Sequence, residues 1–185
     1  MASETSSAAP SATPTFTASD IKSVLTARGW LAGLRMIESD PALEAWSSRA
    51  ADLLGPQAAD RAALADLLEL VFGYDAAAVL EQPASQAVLA REGSRDVIRE
   101  LANRVLDGGE IDSDRFKEIV DSMKAALPQR SRELFHPIRL ALAGRAGEGE
   151  LDRVILLLDS AAKLDFAVPV KGARQRMLEF CAAMD

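Results

Sequence analysis

Apolar residues recur at intervals of three and four along almost the whole chain after Ser19, and this helical period limits the fold more than any other feature. After Asp40-Pro41, for example, the apolar positions are Leu43, Trp46, Ala50, Leu53 and Leu54. Pro41 suits a first helical position, where a missing N–H costs nothing. No sustained alternation of apolar and polar residues lies between turn residues, so nothing indicates a half-buried strand.

The run Val154–Leu158 is continuously apolar and could form either a buried strand or a buried helix. Glu150 and Asp152 precede it, and acidic residues suit the first turn of a helix. We therefore predict an all-α fold, a compact bundle or array of about eight to ten short helices.

Turn residues predict where individual helices begin and end. Ser19, Ser94 and Ser113 are predicted N-caps, because a serine hydroxyl can accept a hydrogen bond from the first turn. A third helix is predicted from about Gln57 to Phe72. Pro137 is predicted to begin a helix that ends at Ala143.

Composition predicts one tail and two helical subdomains. Sixteen of the first twenty residues are Ser, Thr, Ala or Pro, a composition that buries too little apolar surface to offset its ordering entropy. We predict a disordered tail over residues 1–18, with a linker remnant of a longer ancestral chain as the alternative. A soft boundary near Gln82–Ser94 then separates a subdomain at 19–82 from one at 83–185.

Charge and residue counts exclude several classes of function. The formal charge of −7 excludes a protein that coats nucleic acid with a basic surface, but it allows a local basic patch. One cysteine, Cys181, and one histidine, His136, exclude a disulfide framework and the common zinc sites. No apolar run reaches 18 residues and no secretory signal is present, so we expect a cytoplasmic protein without a membrane span. We also expect no bound metal and no cofactor.

No catalytic constellation is visible in the sequence. The loop with Gly144, Gly147 and Gly149 follows a helix, lacks the Lys-Ser/Thr pair of a phosphate loop and contains acidic residues. Cys181 is interpreted as a buried structural thiol and His136 as a side chain at a helix entry. We therefore expect no catalytic residues and no independent enzyme activity.

One segment is locally basic in this acidic chain. Residues 130–145 hold four arginines and one glutamate; the arginines are Arg130, Arg132, Arg139 and Arg145. One interpretation is a core helix with solvated arginines. The other is that Arg139 recognises a phosphate or a base edge through its bidentate fork.

This segment also carries a family resemblance. The positions are Leu134-Phe135-x-Pro137-Ile138-Arg139-x-Ala141-Leu142-x-Gly144. They resemble the C-terminal anticodon-binding region of bacterial-type glutamyl-tRNA synthetases, which typically reads Leu-Phe-x-Pro-Leu/Ile-Arg-x-Ala-Leu-Thr-Gly. The similarity is specific over about residues 116–158 and weak over about residues 42–115.

The resemblance implies an all-α anticodon-binding fold and a set of candidate RNA contacts. Arg139 corresponds to a family arginine that contacts the anticodon, and Leu151 to an apolar residue near an anticodon base. Arg61 matches another anticodon-reading arginine if a gap is allowed. Arg132 and Arg145 add local positive charge.

The chain departs from the family pattern in two respects. It lacks the synthetase signatures resembling His-Ile-Gly-His and Lys-Met-Ser-Lys-Ser, so we do not expect aminoacylation by this chain alone. The loop after the motif carries Glu148, Glu150 and Asp152, which would oppose an RNA backbone.

Three functional hypotheses follow. The first is a non-catalytic module that binds tRNA, with glutamate tRNA as the candidate ligand, either directly or together with a synthetase. The second is an acidic all-α protein-interaction module that has lost RNA binding. The third is the C-terminal piece of a split synthetase, which would act in trans with a separate catalytic half.

Overall fold

The computed structural model describes residues 15–31 and 40–184, and within these ranges the chain is helical with no β-strand. The helices are α1 (Ala18–Ala27), α2 (Pro41–Leu54), α3 (Arg61–Phe72), α4 (Ala76–Glu81), α5 (Pro83–Leu89), α6 (Ser94–Leu106), α7 (Ser113–Ala126), α8 (Ser131–Ala143), α9 (Glu150–Ala161) and α10 (Ala173–Met184). The predicted all-α class is confirmed. Most of the predicted tail, residues 1–14, lies outside the described residues.

Aspartate side chains start four of the helices by accepting a backbone N–H from the first turn. These N-caps are Asp40, Asp60, Asp75 and Asp112. The predicted cap at Ser113 is therefore wrong by one residue, because the Asp112 carboxylate accepts from the N–H of Arg115 at 2.8 Å. Asp60 likewise begins α3 later than predicted, after a 3₁₀ turn at Gly55–Gln57.

Two other predicted serine caps are also wrong. At α1 the cap is Thr17, which forms a capping box with Asp20, so Ser19 lies inside the helix. At α6 the cap is Gly93, whose φ of +78° places it in the left-handed region, and Ser94 is the first helical residue. The Ser94 hydroxyl instead donates to the carbonyl of Val88 in α5.

Pro137 lies inside α8 rather than at its first position, which corrects the predicted start of that helix. The helix begins at Ser131, six residues earlier. Proline has no N–H, so the carbonyl of Glu133 receives no hydrogen bond from the next turn. Glu133 is an exposed residue in the first turn of α8, a place where water commonly hydrates an unpaired backbone group. The additional first turn of α8 carries Arg132, and it brings this arginine into the same helix as Arg139.

Helices α8 and α9 form the centre of the core. Every residue from Pro137 to Ala143 is buried, as is every residue from Val154 to Leu158. Helices α2 and α3 pack on α9, whereas α6 and α10 pack on α8. One hydrophobic cluster contains buried residues from both sides of Gln82. Because α8 and α9 are both packed at the centre of the core, the loop between them is anchored at both ends.

Arg176 closes the core where α3 and α8 end. Its side chain is fully buried and donates to the carbonyls of Leu70 and Val71 at the end of α3 and to that of Leu142 at the end of α8. These carbonyls have no intrahelical partners, and the C-terminus of a helix carries partial negative charge. Burial lowers the pKa of Arg176 to about 10, so the guanidinium stays protonated at neutral pH.

Candidate nucleic-acid interface

Four segments meet around the first half of α8: the α5–α6 turn, the α7–α8 loop, α8 itself and the α8–α9 loop. Arg91 Nη1 lies 3.4 Å from His136 Nδ1, which joins the α5–α6 turn to α8. Arg132 Nη2 lies 3.1 Å from Glu148 Oε1, which joins α8 to the α8–α9 loop. We call this surface the α8 face and define it by Arg91, Arg130, Arg132, His136 and Glu148.

Arg139 lies beneath this face and binds the α8–α9 loop. Its Nε and Nη2 donate to the two carboxylate oxygens of Asp152, each at 2.8 Å, and its Nη1 donates to the carbonyl of Gly147 at 2.7 Å. The side chains of Arg139 and Asp152 are 8% and 23% exposed. The guanidinium carbon also lies 4.9 Å from the centre of the Phe135 ring.

This geometry means that Asp152 already occupies the bidentate fork of Arg139. A carboxylate presents two oxygens at the spacing that a guanidinium fork matches, as a phosphate does. Asp152 is one of the acidic residues that depart from the family pattern, and here it neutralises a buried arginine. The fork is therefore engaged within the chain.

Arg132 and Arg145 are the exposed arginines of the predicted set. The Arg132 side chain is 73% exposed, and its partner Glu148 is 64% exposed. Arg145 is exposed directly after Gly144, the residue that ends α8 in the left-handed conformation with a φ of +81°. Both side chains are accessible to a ligand.

Leu151 is fully buried at the start of α9. A Cβ atom added to Gly147 would lie 2.8 Å from Leu151 Cδ1, so the loop passes closely over this side chain. Leu151 thus supports the α8–α9 loop from below.

Arg61 lies on a different element from the other four predicted residues. It is the first residue of α3 and is exposed. Hydrogen bonds from Thr17 are the main cause of the lowered pKa of Asp20 in α1, and the Arg61 guanidinium adds to this effect. Arg132, Arg139, Arg145 and Leu151 are instead brought together by α8, α9 and the loop that joins them.

His136 and Arg91 are members of the α8 face that sequence reasoning did not select. His136 is half-buried, and its Nε2 is a buried atom with no hydrogen-bond partner. Burial, and after it the neighbouring Arg91 guanidinium, lower the pKa of His136 below its ordinary value. The ring is therefore neutral at neutral pH. No sequence pattern links Arg91 to His136, because 45 positions separate them.

The charges of this region almost balance. Residues 130–153 contain five arginines and four acidic residues, whereas residues 40–81 contain two arginines and eight acidic residues. Much of the acidity of the chain therefore lies in α2, α3 and α4 and the turns around them, outside the α8 face.

Two features are absent from the described residues, a membrane-spanning helix and a metal-binding cluster. Among residues 15–31 and 40–184, no helix has the length and apolarity needed to cross a membrane. The same ranges contain no group of three or more His, Cys, Asp or Glu side chains arranged to hold a metal ion.

Comparison with known proteins gives one family. No curated protein and no solved structure matches the chain significantly. The profile of the anticodon binding domain family matches residues 15–162, which span α1 to α9 and include the whole Leu134–Gly144 motif. This match covers well over half of the chain, and the all-α architecture agrees with it. The chain belongs to the anticodon binding domain family.

Proposed function

We propose that this chain is a non-catalytic tRNA-binding module of the glutamyl-tRNA synthetase type, acting in the cytoplasm, and that it binds tRNA through the α8 face. The observation that carries the proposal is the position of Arg132, exposed on the first turn of α8 beside Arg91 and Arg130, within a family of anticodon-binding domains. Exposed arginines at one site provide the phosphate contacts on which RNA affinity depends.

The candidate residues have different parts in this proposal. Arg132 and Arg145 are exposed and would contact RNA directly. Arg139 and Leu151 are buried and would act by holding the α8–α9 loop in the conformation described above. Arg61, at the start of α3, would be a separate contact if the RNA extends beyond α8.

Glutamate tRNA is the proposed preferred ligand because the Leu134–Gly144 motif resembles that of the glutamyl enzymes. Single-stranded RNA is recognised by stacking on aromatic rings and by hydrogen bonds to base edges. Phe135 is half-buried, and Arg139 and Lys124 flank its ring. Phe135 therefore offers little free ring surface for stacking on a base. We expect hydrogen bonds from arginines to contribute more to RNA recognition than stacking does.

The test is a comparison of charge-removing variants in a tRNA-binding titration. Arg132→Gln should weaken binding of glutamate tRNA by about three- to tenfold at low salt, the scale of one lost phosphate contact. Lys163→Gln is the matched control, because Lys163 is also exposed and ion-paired but lies beyond the opposite end of α9. Equal effects of the two variants would contradict binding at the α8 face.

A second candidate is a protein-interaction module that has lost RNA binding. It is favoured by the pairing of both Arg132 and Arg139 with carboxylates of the same chain. This function predicts a complex with a protein partner that persists after nuclease treatment. Recovery of a synthetase catalytic half that becomes active with this chain would instead support the split-enzyme hypothesis, and recovery of tRNA alone would support the first proposal.

A further inference from the structure

The α8–α9 loop carries an acidic residue in a position that the buried core fixes. Glu148 directly follows Gly147, whose carbonyl accepts a hydrogen bond from Arg139 at 2.7 Å. Asp152, four residues after Glu148, receives the remaining hydrogen bonds of Arg139. Glu148 therefore lies in a short segment that one buried arginine holds at both ends.

The two ion pairs of this loop differ in how easily a ligand could replace them. Arg139–Asp152 is bidentate and largely buried, so breaking it would leave a buried charge without its partner. Arg132–Glu148 is exposed on both sides, and exposed pairs contribute little free energy. An incoming phosphate group could thus displace Glu148 from Arg132 while Asp152 stays in place.

We propose that Glu148 is an intramolecular competitor that occupies Arg132 in the free protein and must be displaced by an RNA phosphate. This inference rests on the proposed function, because it describes how the α8 face attenuates its own RNA binding. Its ligand chemistry is the phosphate backbone of RNA, for which the Glu148 carboxylate is a local substitute.

The proposal has a specific consequence for affinity. In the complex Arg132 contacts a phosphate in wild type and in Glu148→Gln alike, so the slope of log K against log salt should be nearly the same in both. Wild type must also break the Arg132–Glu148 pair, so Glu148→Gln should bind more tightly at equal salt. Removing an exposed carboxylate elsewhere should change the affinity less, and that change should not depend on Arg132.

The experiment compares Glu148→Gln with Glu110→Gln in the full chain. Glu110 is a suitable control because it is 60% exposed and pairs with Lys163 at 2.6 Å, at the opposite end of α9 from the α8–α9 loop. The twelve residues of α9 place these two ends about 18 Å apart. Both variants remove one exposed carboxylate charge and keep the size of the side chain.

Two probes are used: total tRNA in a binding titration, and a heparin column as a polyanion that contains no base. We expect Glu148→Gln to bind tRNA about two- to fivefold more tightly than wild type, the range expected for loss of one exposed pair. We expect it to elute from heparin at higher salt than Glu110→Gln. Both gains should disappear in the Arg132→Gln background.

The outcomes separate this inference from the proposed function. If neither wild type nor Glu148→Gln binds tRNA, but Glu148→Gln shows a heparin gain that depends on Arg132, Glu148 still competes with a polyanion for Arg132, whereas the proposed tRNA binding fails. If tRNA binds to wild type and both glutamine variants with the same affinity, and their heparin elution is also the same, the competitor role is overturned. The same gain in both variants would overturn it as well.

Discussion

The guanidinium of Arg139 and the carboxylate of Asp152 form a two-point pair, with two N–H···O distances of 2.8 Å, that joins α8 to the first turn of α9. The pair combines an arginine from the family motif with an acidic residue that departs from the family pattern. It explains how the start of α9 tolerates Asp152, because the negative charge is neutralised inside the chain. It also moves the expected RNA contacts from Arg139 to the exposed arginines around it.

Replacing Arg139 with lysine should destabilise the fold. An ammonium group cannot reproduce the fork, so at least one oxygen of Asp152 or Gly147 loses its donor in a largely buried site. We expect the free energy of unfolding to fall by about 1.5–3 kcal/mol, as measured by urea denaturation. Arg132→Lys is the control, because its pair is exposed, and it should change stability by less than about 0.5 kcal/mol. Equal stabilities of the two variants would contradict the structural role of Arg139.

Replacing Arg176 with methionine should destabilise the protein strongly. Four carbonyls lose their donor, those of Leu70, Val71, Leu142 and Lys171, and the Tyr74 ring loses the cation that lies 4.5 Å from its centre. We expect a loss of about 3–5 kcal/mol, measured by thermal and urea unfolding. Arg174→Met, at an exposed position of the same helix, should have a much smaller effect. A stable Arg176→Met protein would show that the helix ends do not need this charge.

A substitution at Phe166 tests whether residues that follow the family match contribute to the stability of the core. Its ring packs edge-on against Trp46 and Phe72, with centroid distances of 5.3 Å and 4.9 Å, although the match ends at residue 162. Phe166→Ala should lower the free energy of unfolding by about 3–5 kcal/mol. Val168→Ala, at a position 39% exposed in the same segment, should cost less than about 1 kcal/mol. Similar losses would indicate that the segment is not packed as described.

The lowered pKa of His136 predicts that the folded protein loses stability in mild acid. Its pKa in the folded state is lowered by burial and by Arg91, so below pH 6.5 the unfolded chain takes up a proton that the folded chain does not. Stability should therefore decrease as the pH falls from 6.5 through the lowered pKa of the folded state. Glu148 opposes this shift, whereas Arg132 and Arg139 add to it.

The measurement is the urea midpoint between pH 7.5 and pH 5. Wild type should lose stability across this range, and His136→Gln should lose less of it. Protonation of Asp20 does not contribute in this range. Hydrogen bonds from Thr17 lower the pKa of its carboxyl from 3.8, so its effect on stability appears at more acidic pH. Parallel curves for wild type and His136→Gln would contradict the assigned environment of the histidine.

The helical periodicity of the sequence is sufficient to predict the fold class, because the buried residues of the long helices follow the same spacing of three and four. The buried positions of α3, such as Leu64, Leu68 and Val71, follow from the sequence pattern alone. Helix starts were less predictable, since Asp112 and Ser113 are both good caps and only the backbone geometry selects between them. Pro137 misled the prediction of α8, because proline favours a first turn but its cost inside a helix depends on solvent access to one carbonyl.

The candidate site was only partly predictable for a different reason. The motif and the nearby arginines indicate the segment that carries the candidate site, but the exposure of an arginine depends on partners that are distant in sequence. Asp152 is 13 positions from Arg139, and nothing in the spacing distinguishes a competing carboxylate from an internal partner. Arg176 shows the same limit, because its carbonyl partners come from the ends of three segments.

A titration of the purified chain with glutamate tRNA and with total tRNA, at two salt concentrations, is the most direct test of tRNA binding at the α8 face. Binding at the α8 face predicts measurable affinity at low salt, a preference for glutamate tRNA, and an affinity that falls as salt increases, with a slope that is reduced in Arg132→Gln. No binding of either RNA at low salt would contradict the claim, and the α8 face would then be a surface for protein partners.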